Sequence, residues 1–436
     1  MLSRRGFLGY AGAGAVAVGC YPGGGTSRLF AASTPTSLES MRKLPGMANL
    51  ILGYPINMTT PPREFFDWRK QLAEVGVSQF AFNNVGNPFV PSPIPTNTHA
   101  MEREVICRFA KLYGFAPKDI WGFLSNSGTD SNMHGMYMGR TILKNRTGEM
   151  PKVFFTKEAH YSIQILRDLL GIEWVEVGTN PDGSMNAESL GRCLSDHPNH
   201  PALVVPTIGT TFKGAIDSID AIRVQLKDRE SYIHLDAALF GGYLPHTRFA
   251  DELKALTTAD KTGKTHPRYH SLAVSCHKFF GFHSPAGLFV TAKRVYDEFQ
   301  AAFEKVHSPD YIHQVPGTIT CSRDSVKPAE FLFFSSETAF ARQAEDAREM
   351  LQNAEYLHKE LKSRFPDLCA TRSNDRSNTI YFRRPSAAIL SRYSLASMEL
   401  TFDGKKERFA HVVVMPHAKK KILDQFLEDL EQDSKK

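Results

Sequence analysis

The stretch Ser271 to Val290, SLAVSCHKFFGFHSPAGLFV, sets one lysine between two apolar runs with the composition of buried strands. Lys278 follows a histidine and precedes a glycine and a proline, residues at which strands commonly end. A buried lysine is costly unless its charge is offset. Because a desolvated amine attacks aldehydes, the stretch predicts a Schiff-base lysine at a strand end. Taken alone, the stretch also fits a lysine that snorkels to solvent.

Strand-like and helix-like segments alternate on both sides of this lysine, from Ile120 to Val290. The strand candidates are KVFFT, WVEVGT, ALVVPTIG, YIHLDAALF, SLAVSC and AGLFVTA. The helix candidates between them include SNMHGMYMGRTIL, SIQILRDLL and IDAIRVQLKD. This alternation predicts an α/β domain with a mostly parallel sheet, whose ligand would lie beyond the carboxyl ends of the strands.

The 436 residues exceed what one hydrophobic core organises, so more than one unit is expected. We expect a signal and linker over residues 1–37 and an N-terminal segment, dense in proline and asparagine, over 38–100. The large domain would cover 101–327. A small C-terminal α+β domain would cover 328–436, with one long helix, strands at NTIYFRR and FAHVVVMP, and a terminal helix.

The first twenty residues, MLSRRGFLGYAGAGAVAVGC, place Arg4 and Arg5 before Phe7 and a run of small apolar residues. This pattern is typical of a twin-arginine export signal and predicts a periplasmic or otherwise exported protein. The run is too short and too rich in glycine for a spanning helix. Cys20 is a candidate lipid anchor.

Composition argues against two other classes of protein. The 52 basic and 46 acidic residues are spread along the chain without a long basic run, so no nucleic-acid partner is predicted. The six cysteines form no CxxC pair and no zinc-ligand spacing, so no metal site is predicted.

Three further segments carry side chains suited to a phosphorylated aldehyde cofactor. In SNSGTDSN, Gly128 and Thr129 open a helix whose free N–H groups would face a phosphate, although a plain helix cap has the same sequence. Asp236 ends the apolar strand YIHLD and needs a cation, either a protonated pyridine nitrogen or an arginine. His160 follows the strand KVFFT, as a ring that stacks on the cofactor or as an ordinary core histidine.

These motifs, in this order along the chain, resemble those of the group II pyridoxal-phosphate (PLP)-dependent amino-acid decarboxylases. The resemblance is strongest to the subgroup of bacterial histidine decarboxylases and plant-type serine decarboxylases. It runs from about Gly53 to the terminal helix and includes GYPIN, FNNVGNPF, IWGFLSNSGTDSNMHGMYMGR, HYS, IGTTFKGAIDSI, YIHLDAALFGG, SCHKFFG, GTITCSRDS and AHVVVMP.

The resemblance implies a PLP-dependent transferase-like fold of type I and a homodimer with shared active sites. It implies that Lys278 holds PLP as a Schiff base, that Asp236 pairs with the ring nitrogen, and that His160 and Ala238 contact opposite ring faces. Further cofactor contacts are implied for Gly128, Thr129, Thr210, Ser275 and His277, and for Ser322 and Arg323 of the neighbouring subunit. Tyr54 and Asn57 would line the substrate pocket, and Tyr311 or His313 would return a proton to Cα, unless both are plain loop residues.

The function expected on this basis is PLP-dependent decarboxylation of an L-amino acid to its amine and CO2. Histidine is the first expectation for the substrate and serine, giving ethanolamine, the second. Two alternatives remain open: another PLP enzyme of the same fold, such as a transaminase or oxidative deaminase, and an exported binding protein without catalysis. The latter has no use for a Schiff-base lysine.

Overall fold

The computed structural model describes residues 41–42, 44–259, 261–307, 315–402 and 404–435. A seven-stranded sheet with the order β1-β7-β6-β5-β4-β2-β3 forms the centre of the large unit. Its strands are β1 (Trp121–Ser125), β2 (Lys152–Thr156), β3 (Trp174–Val177), β4 (Ala202–Val204), β5 (Ser231–Asp236), β6 (Ser271–Ser275) and β7 (Gly287–Thr291). Strand β7 is antiparallel to both of its neighbours and the other pairs are parallel, so the expected mostly parallel sheet is confirmed.

The α-helices of the described chain cover both faces of this sheet and build the C-terminal unit. They are Leu44–Ala48, Arg63–Glu74, His99–Leu112, Gly128–Thr147, Tyr161–Leu169, Ala187–Ser195, Ile219–Leu226, Phe240–Tyr243, Lys293–Glu304, Val326–Phe331, Glu337–Arg364, Ala387–Arg392 and Lys420–Ser434. Short 3-10 turns occur at Leu244–His246, Ala250–Leu253, Leu332–Ser335 and Pro366–Leu368.

The central strands are buried along their length, which explains their continuous apolar sequences. Every residue of β1, β2, β6 and β7 is buried. A strand in a parallel sheet covered by helices on both faces needs apolar side chains on both of its own faces. The lysine stretch quoted above therefore forms two central strands, β6 and β7, with Lys278 in the turn that follows β6.

The helix Gly128–Thr147 lies against the middle of the sheet. Ser127 caps its start by accepting a hydrogen bond from the N–H of Asp130 at 3.2 Å, and Gly148 ends it in a left-handed conformation with φ 78°. Small side chains let the helix approach the sheet closely: a Cβ on Gly135 would meet the ring of His234 at 2.3 Å. The start of this helix is thereby fixed at the carboxyl edge of the sheet.

The C-terminal unit holds a second sheet, in the order β8-β10-β9. Its strands β8 (Thr379–Arg383), β9 (Ser397–Phe402) and β10 (Lys405–Val413) are antiparallel. Strand β10 pairs Val413 with Thr379, and both residues face the large unit at the cleft described below. This sheet lies within residues 328–436, the range predicted for the small domain.

Two sequence predictions of strands need correction. Strand β1 was not predicted, because WGFLS is short and runs directly into the glycine-rich turn. The candidate ALVVPTIG is a regular strand only over Ala202–Val204, since Pro206 has no N–H to offer the ladder. Within the described residues, no helix combines the length and the apolar character needed to cross a membrane.

Candidate active site

Three side chains predicted from separate motifs meet in one cleft at the carboxyl edge of the sheet. His160 lies four residues beyond the end of β2, Asp236 is the last residue of β5, and Lys278 lies three residues beyond the end of β6. All three line the same cleft, together with Thr210 and Ala238. Ligands of open α/β sheets bind at this edge because the loops after the strands converge there.

Lys278 is half-buried in the turn after β6. Its N–H donates to the carbonyl of Ser275 at 3.4 Å, and its own carbonyl accepts from the N–H of Gly281 at 3.2 Å. Desolvation lowers the pKa of its amine, and the negative charge of Asp236 opposes part of that shift. The environment thus increases the neutral, nucleophilic fraction of the amine at neutral pH.

Asp236 is 2% exposed, and one of its carboxylate oxygens accepts a hydrogen bond from the N–H of Ala238 at 3.3 Å. The sequence left open an arginine partner for this carboxylate, but in the described part of the chain Asp236 forms no ion pair with an arginine. A buried carboxylate without such a partner suits a site that receives a cationic group.

His160 caps the helix Tyr161–Leu169. Its Nδ1 accepts from the N–H of Ser162 at 3.3 Å and lies 2.7 Å from the hydroxyl oxygen of Ser162. A ring nitrogen that accepts from a backbone N–H carries the lone pair, so the neutral ring holds its proton on Nε2. Burial lowers the pKa of His160, Asp236 raises it and Lys278 lowers it, with burial the largest effect. The ring is fixed in orientation and favoured in its neutral form.

Gly128 and Ser275 form a narrow cradle beside Ala238. A Cβ on Gly128 would lie 2.3 Å from the Oγ of Ser275 and 3.9 Å from the Cβ of Ala238, so a side chain there would displace the serine hydroxyl. The N–H groups of Gly128 and Thr129 belong to the first turn of a helix and point out of it without intrahelical acceptors. Glycine, a hydroxyl and free N–H groups at a helix start form an anion site.

Thr210 and His277 order the loops around this cleft. The Thr210 hydroxyl accepts from the N–H of Ala215 at 3.0 Å and thereby closes the turn that follows β4. The Nδ1 of His277 lies 3.3 Å from the carbonyl oxygen of Ala286, just before β7. Burial lowers the pKa of His277.

Asn57 contacts the turn that carries Lys278. Its N–H donates to the carbonyl of Lys278 at 3.2 Å, and its side-chain amide donates to the carbonyl of Phe279 at 2.9 Å. Its side-chain oxygen accepts from the N–H of Thr59 at 2.9 Å. The amide is therefore occupied in holding the lysine turn. Tyr54 is 40% exposed, and its neighbour Pro55 is the residue that lines the cleft.

Arg323 pairs with a residue of its own chain. Its guanidinium is buried against Glu102, with side-chain exposures of 1% and 0%. The contact implied for Arg323 with the phosphate of the neighbouring subunit stays a prediction. Ser322 is exposed, and its hydroxyl accepts from the amide of Asn83 at 3.1 Å. Tyr311 and His313 lie outside the described residues.

The sequence analysis did not assign eight of the residues that line the cleft, among them Thr207, Thr379 and Val413. Thr207 pairs with Asp236 in a parallel bridge and is 4% exposed, and its hydroxyl has no hydrogen-bond partner among the described residues. Thr379 and Val413 reach the cleft from the C-terminal sheet. The sequence signal for Thr207 is its place just beyond a buried strand. Thr379 and Val413 lie in the segments NTIYFRR and AHVVVMP, neither of which indicates that these side chains reach the cleft.

A larger cleft lies between residues 246–249 and the long helix Glu337–Arg364. Two of its cations are paired with carboxylates, Arg348 with Glu345 and Lys359 with Glu355. It contains none of the residues predicted to act in the reaction, so its size alone gives no reason to place the chemistry there.

The residues present at the sheet edge fit PLP on three separate observations. The cradle at Gly128 would accept a phosphate but not a side chain. The Thr207 hydroxyl is buried and has no hydrogen-bond partner in the described part of the chain, which is costly unless a ligand supplies one. The Asp236 carboxylate raises the pKa of Lys278 and of His160, and the Lys278 amine lowers the pKa of His160, so these groups lie close enough to act on one ligand.

Comparison with known proteins gives one consistent result. Residues 94–383 match the pyridoxal-dependent decarboxylase conserved domain. Histidine decarboxylase of Solanum lycopersicum is 30% identical over 391 residues, covering 88% of this chain and 84% of that protein. Serine decarboxylase 1 of Oryza sativa subsp. japonica is 29% identical, covering 87% and 71%. The crystal structure of L-methionine decarboxylase from Streptomyces sp. 590 superposes with a TM-score of 0.78 at 23% identity, covering 91% and 94%.

Proposed function

Since this chain belongs to the pyridoxal-dependent decarboxylase family and is a PLP-dependent amino-acid decarboxylase, we propose that its substrate is histidine, with serine as the second candidate. The observation that carries the enzymatic assignment is the convergence of Lys278, Asp236 and His160 on one cleft from three different strands. The choice of histidine rests on the relatives and on the lining of that cleft.

PLP, when bound, supplies an electron sink for the bond that releases CO2. Lys278 offers the amine that would hold the cofactor, and desolvation favours its neutral form. Asp236 would keep a proton on the cofactor's ring nitrogen through charge attraction in a buried site. His160 presents a neutral ring with its proton on Nε2, held by Ser162. The cradle of Gly128 and Ser275 would hold the phosphate.

The chemistry of the cleft lining separates classes of substrate. Beyond the residues assigned to the cofactor it combines apolar groups with hydroxyls: Pro55, Thr211, Leu239, Phe240, Thr379 and Val413. Asp236 is its only carboxylate among the described residues. An amino acid with a cationic side chain would therefore lack a counter-charge, whereas a neutral imidazole or a hydroxyl could pair with threonine hydroxyls.

The test of the substrate is a panel of L-amino acids assayed for CO2 release and amine formation by the purified protein. Histidine should be decarboxylated with the highest kcat/KM, and Lys278→Ala should be inactive. Preference for serine would establish the second candidate, and inactivity on both would refute the proposal. Dependence on a keto-acid acceptor, or stoichiometric oxygen consumption, would instead identify another PLP reaction on the same fold.

We also propose that the protein works as a homodimer with the active site at the subunit boundary. The helix that begins just after His160 exposes an apolar stripe: Tyr161, Ile165 and Leu169 are 72%, 57% and 67% exposed and lie one turn apart. An apolar groove continues from Leu169. An exposed apolar stripe beside the cleft suits a second copy of the chain better than it suits water.

Ile165→Glu tests the dimer, with Val224→Glu as its control because Val224 is 68% exposed on another helix. Analytical ultracentrifugation should find a dimer for the wild type and the control and a monomer for Ile165→Glu, with activity lost in the monomer. A monomeric wild type, or a dimer unaffected by Ile165→Glu, contradicts this interface.

Export is the remaining proposal, because the twin-arginine pattern lies in residues 1–37, outside the described residues. Fractionation of bacteria that express the full chain should find the protein outside the cytoplasm. Replacement of Arg4 and Arg5 by lysine should keep the protein in the cytoplasm. Labelling with a radioactive fatty acid, lost in Cys20→Ala, would show lipid anchoring. Equal distribution of the wild type and the twin-lysine variant would refute export by this route.

A further inference from the structure

Arg323 and Glu102 form a deeply buried ion pair. Their side chains are 1% and 0% exposed, and both guanidinium NH2 groups donate to the carboxylate, Nη2 to Oε2 at 3.2 Å. A buried ion pair pays a large desolvation penalty and is weak evidence of a gain in stability. Its position in the fold indicates a more specific use.

The pair holds both polar backbone groups of Leu124. Glu102 Oε1 accepts from the N–H of Leu124 at 2.8 Å, and Arg323 Nη1 donates to the carbonyl of Leu124 at 3.3 Å. Leu124 is the penultimate residue of β1 and lies four residues before Gly128. The ion pair therefore fixes the end of the strand that leads into the turn over residues 125–129.

Hydrogen bonds to the Asp130 carboxylate hold the other end of the same turn. The Thr320 hydroxyl donates to Oδ1 of Asp130 at 3.4 Å, while Oδ2 of Asp130 accepts from the N–H of Asn126 at 2.9 Å. Thr320 and Arg323 belong to one short segment, so that segment contacts the structure on both sides of the turn. The turn cannot shift without breaking one of these contacts.

The N-terminal segment completes the arrangement. Arg323 Nη2 donates to the carbonyl of Gly86 at 2.7 Å, and the amide of Asn84 donates to Oε2 of Glu102 at 2.9 Å. The backbone N–H of Asn84 donates to the carbonyl of Arg323 at 3.2 Å. Segments that are remote in sequence thus share one polar network.

We propose that Arg323 and Glu102 are positioning residues that set the 125–129 turn for the cofactor phosphate. This inference rests on the proposed binding of PLP at the cradle of Gly128 and Ser275. In this role Arg323 acts through the backbone of Leu124, whose carbonyl and N–H group the ion pair holds, rather than by binding the phosphate itself. Loss of the pair should weaken binding of the phosphate while leaving the contacts made by Lys278 and Asp236 in place.

The test compares two ligands that differ only in the phosphate, PLP and pyridoxal. Arg323→Lys keeps a positive charge beside Glu102 but cannot donate from two groups to the carboxylate and also reach Leu124 and Gly86. The dissociation constants of both ligands are measured on the apo-protein by equilibrium dialysis. We expect the preference for PLP over pyridoxal to fall at least tenfold in Arg323→Lys. The double variant Glu102→Gln/Arg323→Met, which leaves no unpaired buried charge, serves if the first does not fold.

Arg146→Lys is the matched control. Arg146 lies near the other end of the helix that starts at Gly128, and it pairs with Glu298 through two contacts, at 2.5 and 2.7 Å. The Arg146→Lys variant should prefer PLP over pyridoxal to the same extent as the wild type. An unchanged preference in Arg323→Lys, or equal weakening of both ligands, overturns the positioning role. A wild type that binds neither ligand would instead refute PLP binding itself.

Discussion

Replacement of Gly128 by alanine would test the phosphate cradle by adding one methyl group. The new Cβ would lie 2.3 Å from the Oγ of Ser275, well inside the 3.0 Å below which such contacts are essentially absent. Ser275 is 3% exposed, so its hydroxyl can turn only within a buried site. The serine hydroxyl must therefore turn away from the cradle, and the methyl group occupies part of the space a phosphate oxygen would take.

The expected loss follows from two costs. Forcing the serine away from its preferred rotamer costs about 0.5–1.5 kcal/mol. Loss of a hydrogen bond to a charged phosphate costs about 1.5–3 kcal/mol. Together they amount to about 2–4.5 kcal/mol, or roughly a thirty- to two-thousandfold rise in the dissociation constant of PLP. The fold should be preserved, because the methyl group meets a side chain and no backbone atom at short range.

PLP titration of the apo-protein, followed by the visible absorption of the bound cofactor, measures this constant. Gly46→Ala serves as the control, since a Cβ there meets nothing within 4 Å. Ser275→Ala and the double variant complete a cycle. Because the clash and the lost hydrogen bond involve the same hydroxyl, the double variant should lose much less than the sum of the single losses. Additive losses, or unchanged affinity in Gly128→Ala, would refute this description of the cradle.

Two further predictions concern buried polar groups. Thr207→Val removes a hydroxyl that has no partner in the described structure. PLP should therefore bind about five- to thirtyfold more weakly, while the apo-protein should be at least as stable in urea as the wild type. A loss of stability in urea alongside the loss of PLP affinity would contradict this prediction. Burial lowers the pKa of His134 and of His234 to about 3. As the pH falls, these histidines take up protons in the unfolded chain at a higher pH than in the folded chain. The free energy of unfolding should therefore fall as the pH drops from about 6.5 towards 3, by about 2 kcal/mol per histidine at pH 5. His134→Phe, which keeps a ring against Trp121 and Phe289, should remove one histidine's share of that slope in urea titrations, and an unchanged slope would contradict the assignment.

The residues that could be predicted from sequence share one property: each ends or follows a strand. Lys278, Asp236 and His160 are polar residues directly after apolar runs, and parallel strands bring such positions to one edge. Thr379 and Val413 could not be found this way, because they reach the cleft only through the packing of the second sheet against the first.

Arg323 and Asn57 show why a motif does not fix a role. The motif GTITCSRDS indicates that an arginine lies near the site. The orientation of its guanidinium, however, depends on Glu102, which is 221 residues away in sequence. Asn57 likewise lies near the lysine, but its amide is satisfied by the backbone of the lysine turn. A side chain's partner, and hence its role, is set by tertiary contacts that local sequence does not record.

Borohydride reduction of the purified protein, followed by peptide mass spectrometry, tests whether the cofactor is attached to Lys278. Reduction fixes a lysine-bound cofactor as a stable amine. We predict one phosphopyridoxyl group per chain on the peptide that contains Lys278, and none in Lys278→Ala. A group on another lysine, or an unmodified protein after incubation with PLP, would show that Lys278 does not hold the cofactor.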